Sequence, residues 1–177
     1  MPTYIGTSDV ADGAITSEHA TYATSRAGAN LEADTTNARL RGDAFWVAGM
    51  GQELFSGTYA CHESFIKFDT SSIPDNATID SVTLRTNFES SRDGGGISWI
   101  GEARIYDWGA SLTTVDWIVG ADLSAKTLVG TLGQAAQSGT VNWVSLAAFT
   151  SNIAKAGTTY LVLCDNALTG GTAPTAA

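Results

Sequence analysis

From residue 64 onward, apolar and polar positions alternate with a period of two. In Ser64-Phe65-Ile66-Lys67-Phe68-Asp69, Ile66 and Phe68 fall on one side and Lys67 on the other, which predicts a core strand. Turn formers follow in Thr70-Ser71-Ser72-Ile73-Pro74-Asp75-Asn76-Ala77, where Pro74 fixes its own φ and pushes Ile73 towards an extended conformation. Ile79, Val82, Leu84 and Phe88 then mark a second strand, with Thr83 and Arg85 directed to water, and a glycine loop at Gly94-Gly95-Gly96 reverses the chain. Ile97, Trp99, Ala103 and Ile105 alternate with Glu102, Arg104 and Tyr106 in the manner of a half-buried strand. Leu128 to Leu132 and Asn142 to Leu146 read as further strands, and Tyr160-Leu161-Val162-Leu163-Cys164 is the apolar run of a central strand covered on both faces.

Two segments depart from the strand period. Thr113-Thr114-Val115-Asp116-Trp117-Ile118 suits a single helical turn with Trp117 packed inward, and Phe149 to Ala156 suits a short helix stopping at Gly157. Residues 1 to 60 are less patterned. Short alternating pieces at Thr21 to Thr24 and Ala44 to Ala48 are separated by turn signals at Asp12-Gly13, Ala27-Gly28 and Gly49 to Gly51. Short strands with frequent turns predict an all-β fold, an antiparallel β-sandwich or jelly roll with one or two short helical turns. A chain of 177 residues fits a single domain, with residues 61–165 as its legible core.

Composition sharpens this reading. Charged residues are only 15% of the chain, which suits strands and tight turns better than long surface helices. Eighteen acidic against nine basic side chains give a net charge of -9, a field that repels phosphate backbones, so nucleic acid is not an expected partner. No apolar stretch approaches a membrane span, and Met1-Pro2-Thr3-Tyr4 does not open a secretory signal, which points to synthesis in the cytoplasm and to no membrane partner.

Chemistry-bearing residues are sparse. Cys61 and Cys164 each end a strand-like segment; one disulfide between them is conceivable, and two buried free thiols are the expected state in a reducing compartment. Glu18-His19 and Cys61-His62-Glu63 offer metal-capable atoms without the spaced pairs of a zinc site, and neighbours on a strand point to opposite faces. A structural calcium ion would suit acidic loops, although no loop carries a recognised calcium spacing. No Gly-x-Ser-x-Gly elbow occurs, and the two histidines leave little choice of general base, so no enzyme activity is expected. Gly94 to Gly96 opens no helix and lacks a following Lys-Ser/Thr, so it is a hairpin loop rather than a phosphate cradle. Arg41-Gly42-Asp43 and the acceptor triplet Asn76-Ala77-Thr78 are short enough to arise by chance. Of five tryptophans (Trp46, Trp99, Trp108, Trp117, Trp143), Trp108 is the best surface candidate, because Asp107-Trp108-Gly109 lies where a strand breaks into a loop.

The stretch from Ser64 to Leu84, containing Phe68-Asp69-Thr70-Ser71-Ser72-Ile73-Pro74, resembles the carbohydrate-binding-module-like jelly rolls known as DNRLRE-type domains of bacterial surface proteins. It is still more similar to related domains in tailed-phage structural proteins. Glu102-Ala103-Arg104-Ile105-Tyr106-Asp107-Trp108-Gly109, Leu112 to Trp117 and Thr158 to Leu163 extend the resemblance across about residues 60 to 165. The resemblance implies a β-sandwich used as a virion-surface or extracellular module, with no catalytic residues to carry over. The first expectation is therefore an exterior virion protein of a tailed phage, a capsid decoration protein or head fibre. It would act as a homo-oligomer on capsid or other virion proteins. Alternatives are a module of a tail fibre or adhesin that binds a cell-surface glycan through Trp108, and a subunit of an extracellular filament. Similar domains continue past a segment like Thr172-Ala173-Pro174-Thr175 into a final strand, whereas this chain stops at Ala177. That departure implies a fragment, a dispensable strand, or an edge filled by a neighbouring subunit.

Overall fold

The computed structural model describes residues 3, 4, 6, 12–34, 50–88, 99–133 and 139–175. The chain is an antiparallel all-β sandwich of two unequal layers, as its alternation predicts. Strands β1 (Gly13–His19), β2 (Glu32–Asp34), β3 (Gly51–Phe55), β4 (Thr58–Asp69), β6 (Ile100–Ile105), β7 (Leu128–Gly133), β9 (Val144–Ser145) and β10 (Thr158–Asp165) form the large sheet. Its order is β2-β1-β4-β10-β6-β7-β9, with β3 also paired to β4. The second layer is a ribbon of β5 (Arg85–Phe88) and β8 (Gly139–Asn142).

The twelve-residue β4 organises the sheet. It starts from a tight hairpin with β3, in which Ser56 and Gly57 both take positive φ, the backbone a two-residue hairpin turn needs. One edge of β4 pairs with β1 and the other with β3 and then β10. β10 lies between β4 and β6 and is buried along nearly its whole length, so its apolar run meets a core on both faces as expected.

Register assigns the side chains to those faces. Ile15, Cys61, Phe65, Val162 and Cys164 share one side with Trp108, Leu112, Ile118, Leu123 and Leu168. Ala103, Leu161 and Leu163 share the other with Leu84, Val129, Leu132, Trp143 and Phe149. The ribbon and α3 (Ala147–Ser151) cover the second side, with the Trp143 indole N–H donating to Thr86 Oγ1 at 2.9 Å. Helices α1 (Tyr22–Arg26), α2 (Gly120–Leu123) and α4 (Asn166–Gly170) and the connection from Tyr106 to Val119 cover the first.

Several local expectations are corrected. Thr21 to Thr24 is not extended but enters α1, because the buried Ser25 hydroxyl donates to Ser17 O and contacts Cys61 Sγ, which ties that turn onto β1 and β4. Gly13 begins β1 instead of completing a turn. The strand expected from Ile79 is confined to Arg85–Phe88, since β8 offers only four residues to pair with, and Leu84 O instead receives the Trp143 amide. The later helix runs over Ala147–Ser151. The Thr113 turn forms as a 3-10 turn over Thr114–Asp116 closed by a capping box, with Trp117 packed on the core. Helical segments outnumber the two expected, though none exceeds five residues. Ala44 to Ala48, Arg41-Gly42-Asp43, Trp46 and Gly94 to Gly96 lie outside the described residues.

Candidate functional site

The sheet face under the helices carries most of the buried chemistry. β4 alternates Cys61, Glu63, Phe65 and Lys67 onto this face, β10 adds Tyr160, Val162 and Cys164, and β6 adds Glu102 and Arg104. Alternation sets Lys67 on the face opposite Ile66 and Phe68, and gives Glu102 and Arg104 the polar side of a half-buried strand. All three are buried, because helices and loops close over the side that the sequence marks as polar.

Trp108 sits at the centre of one end of this face. It is only 4% exposed, edge-on to Phe65 and Tyr160 with ring centroids 6.3 and 5.5 Å away. The Lys67 ammonium lies over its ring at 4.8 Å and donates to Ala110 O at 3.0 Å. The chain does break there, with Gly109 N donating to Asp107 Oδ1 at 2.9 Å, but the turn swings the indole inward. Trp108 therefore presents no free face to a sugar or a partner, which corrects its reading as a ligand or interface aromatic. Trp143 is likewise core and Trp117 half-buried.

Cys61 and Cys164 are both buried free thiols in one cluster. Burial pushes the Cys61 thiol up to about 11, and burial reinforced by the nearby Glu102 charge holds Cys164 well above its ordinary value. Neither is poised as a nucleophile, since the thiolate is the reactive form. His62 and Glu63 diverge as strand neighbours must: Thr16 Oγ1 lies 3.1 Å from His62 Nδ1 on one face, while Glu63 enters the other. Among the described residues, no three His, Cys, Asp or Glu side chains stand together to hold a metal ion, and no helix is long and apolar enough to cross a membrane.

Two ion-bearing features escape a strand-by-strand reading. Arg104 reaches Glu102 Oε2 from both Nε and Nη2 at 3.0 Å, and its Nη1 donates to Lys126 O at 2.6 Å and Ser124 O at 3.3 Å. Asp165 ends β10 as the N-cap of α4, accepting the Leu168 amide, and Arg26 closes the other end of α4 through Leu168 O and Thr169 O at 2.7 and 2.8 Å. Burial pushes the Asp165 carboxyl up to about 6, against the pull of the Leu168 amide. In the sequence, the buried status of β10 is the signal for both, because a strand covered on both faces forces its neighbours' polar residues inside as well.

Two of the exposed apolar side chains lie towards one edge of the large sheet. β9 is the last strand on its side, Val144 is 65% exposed, and Ile100 on β6 is also exposed. The pairs Thr131↔Val144 and Ile100↔Gly133 place both side chains on the same face across β7. This patch lies just beyond the cover of α4, where Thr169 Oγ1 donates to Glu102 Oε2 at 3.2 Å. Such an arrangement can dock a partner. No protein-family model matches the chain, and neither a characterised protein nor a solved structure does.

Proposed function

We propose that the protein works by binding and assembly, as an exterior structural protein of a tailed-phage virion of the capsid-decoration or head-fibre type. The observation that carries this reading is that Val144 on the end strand β9 and Ile100 on β6, both apolar and exposed, share a face near one edge of the sheet, where a symmetric oligomer or a coat lattice would cover them. The resemblance of residues 60 to 165 to domains of phage structural proteins supports the same reading. The burial of Trp108 removes the residue named for stacking in the glycan-binding alternative.

Size-exclusion chromatography with light scattering, followed by co-sedimentation with purified heads of the parent phage, tests the proposal. A defined oligomer that pellets with heads is expected. A strict monomer that stays in the supernatant at micromolar concentration overturns it.

A further inference from the structure

Glu63 stands in the middle of β4, opposite Ile15 of β1 and beside Cys164 of β10. It is 0% exposed. Its Oε2 accepts the Ile118 amide at 3.1 Å, and its Oε1 meets no donor or acceptor among the described residues. The charged and titratable groups on this sheet face are otherwise engaged. Lys67 is held by Ala110 O and the Trp108 ring, Arg104 by Glu102, Arg26 by α4, and Cys61 contacts Ser25. Cys164 Sγ lies against Glu102 O, and Asp116 of the cover accepts from Thr113. Tyr106 lies near enough to feel the charges of Asp116 and Glu63, and among the described residues no cation pairs with Glu63 itself.

An isolated carboxylate in such a place is costly, so burial favours the uncharged form and holds the group well above the usual carboxylate range, against the pull of the Ile118 amide. Apart from the Ile118 amide, the backbone of the segment it touches bonds within itself, Asp116 N to Thr113 O and Trp117 N to Thr114 O. Thr113, Thr114, Val115 and Val119 face solvent, Val115 at 86%, while Trp117 and Ile118 turn in. Relief for an ionised Glu63 comes most directly from lifting this segment, since β1 and β10 on either side are locked in the sheet.

We propose that Glu63 is a proton-controlled latch: uncharged, it accepts the Ile118 amide and keeps residues 113–120 closed on the sheet, and on losing its proton it releases them. Opening then exposes Trp117 and Ile118 while the sheet persists.

The test is amide hydrogen exchange followed by NMR across neutral pH, under conditions where closing outruns exchange. Hydroxide catalysis alone gives about tenfold per pH unit, and an opening that releases one proton adds about another tenfold. In the wild-type protein the Ile118 amide is expected to steepen to about a hundredfold per unit, while Val162 and Leu163 keep the ordinary slope. Glu63→Gln, which preserves an acceptor for Ile118, should return Ile118 to the ordinary slope. The latch is overturned if Ile118 keeps the ordinary slope in the wild type, if Val162 and Leu163 steepen equally, or if Glu63→Gln leaves the steep slope intact. Should Glu63→Gln fold poorly, the comparison of Ile118 with Val162 within the wild-type protein decides alone.

Discussion

On one face of strands β4, β10 and β6, Ile66, Leu161, Leu163 and Ala103 meet Trp143 and Phe149. On the other, Glu63, Lys67, Glu102 and Arg104 are buried among Cys61, Phe65 and Val162. The first face is closed chiefly by a paired ribbon whose backbone groups bond across strands. The second is closed by helices of four or five residues and by loops, and short irregular segments leave backbone groups without partners. Polar side chains turned inward answer that need: Arg104 takes the carbonyls of Ser124 and Lys126, Arg26 those of Leu168 and Thr169, Lys67 that of Ala110, and Glu63 the amide of Ile118. Polar residues are inside because the cover is irregular.

The comparison breaks most visibly under large truncations. Trp143→Ala on the apolar face should cost about 3–5 kcal/mol through lost burial and a residual cavity. On the other face, Glu102→Leu removes little volume yet should cost about 3 kcal/mol, because Arg104 is left buried without its counter-charge. Adding Arg104→Met should recover part of that loss. Recovery stays incomplete, since the Ser124 and Lys126 carbonyls lose their donor. Urea unfolding of the four proteins measures both effects, and an Arg104→Met addition that deepens the loss would refute the stranded-charge account.

Proton linkage gives a smaller test of the polar face. The folded Asp165 carboxyl titrates at about 6, above its unfolded value of 3.8, so the folded state holds the proton more tightly. Stability from this group is complete below pH 4 and falls as pH rises to about 6, by about 3 kcal/mol at most. Asp165→Asn keeps an N-cap acceptor for Leu168 and removes the titration. Its stability relative to wild type should rise from pH 4 to 6 and then level off. A difference constant with pH would mean that Asp165 is not the group responsible.

How much of this was legible in the sequence follows from what alternation can say. The continuous run from Tyr160 to Cys164 announced a strand with two covered faces, and Phe65 to Phe68 announced β4. Alternation separates two faces without saying that either is wet, so the polar side carrying Lys67, Glu102 and Arg104 does not declare itself buried, although the Tyr160 to Cys164 run already implies burial beside it. Trp108 was misplaced for a related reason: a loop signal at Asp107 and Gly109 locates a bend, and the direction of the bend depends on Lys67, Phe65 and Tyr160, which lie far away in sequence. The α1 turn escaped because the contacts of Ser25 with Ser17 and Cys61 overrode weak local preference.

The smallest effect on folding carries the most functional weight. Val144 and Val115 are both highly exposed valines, one on the strand β9 at the sheet edge and one at the tip of the 3-10 turn. Val144→Lys and Val115→Lys should each change stability by no more than about 0.5 kcal/mol, since neither side chain is packed. A lysine on an edge strand also opposes edge-to-edge association. If the face bearing Ile100 and Val144 is where copies or coat subunits meet, Val144→Lys should shift the oligomer to smaller species and abolish co-sedimentation, while Val115→Lys leaves both unchanged. Equal behaviour of the two variants would move the assembly surface away from β9, and loss of assembly by Val115→Lys alone would place it on the cover segment instead.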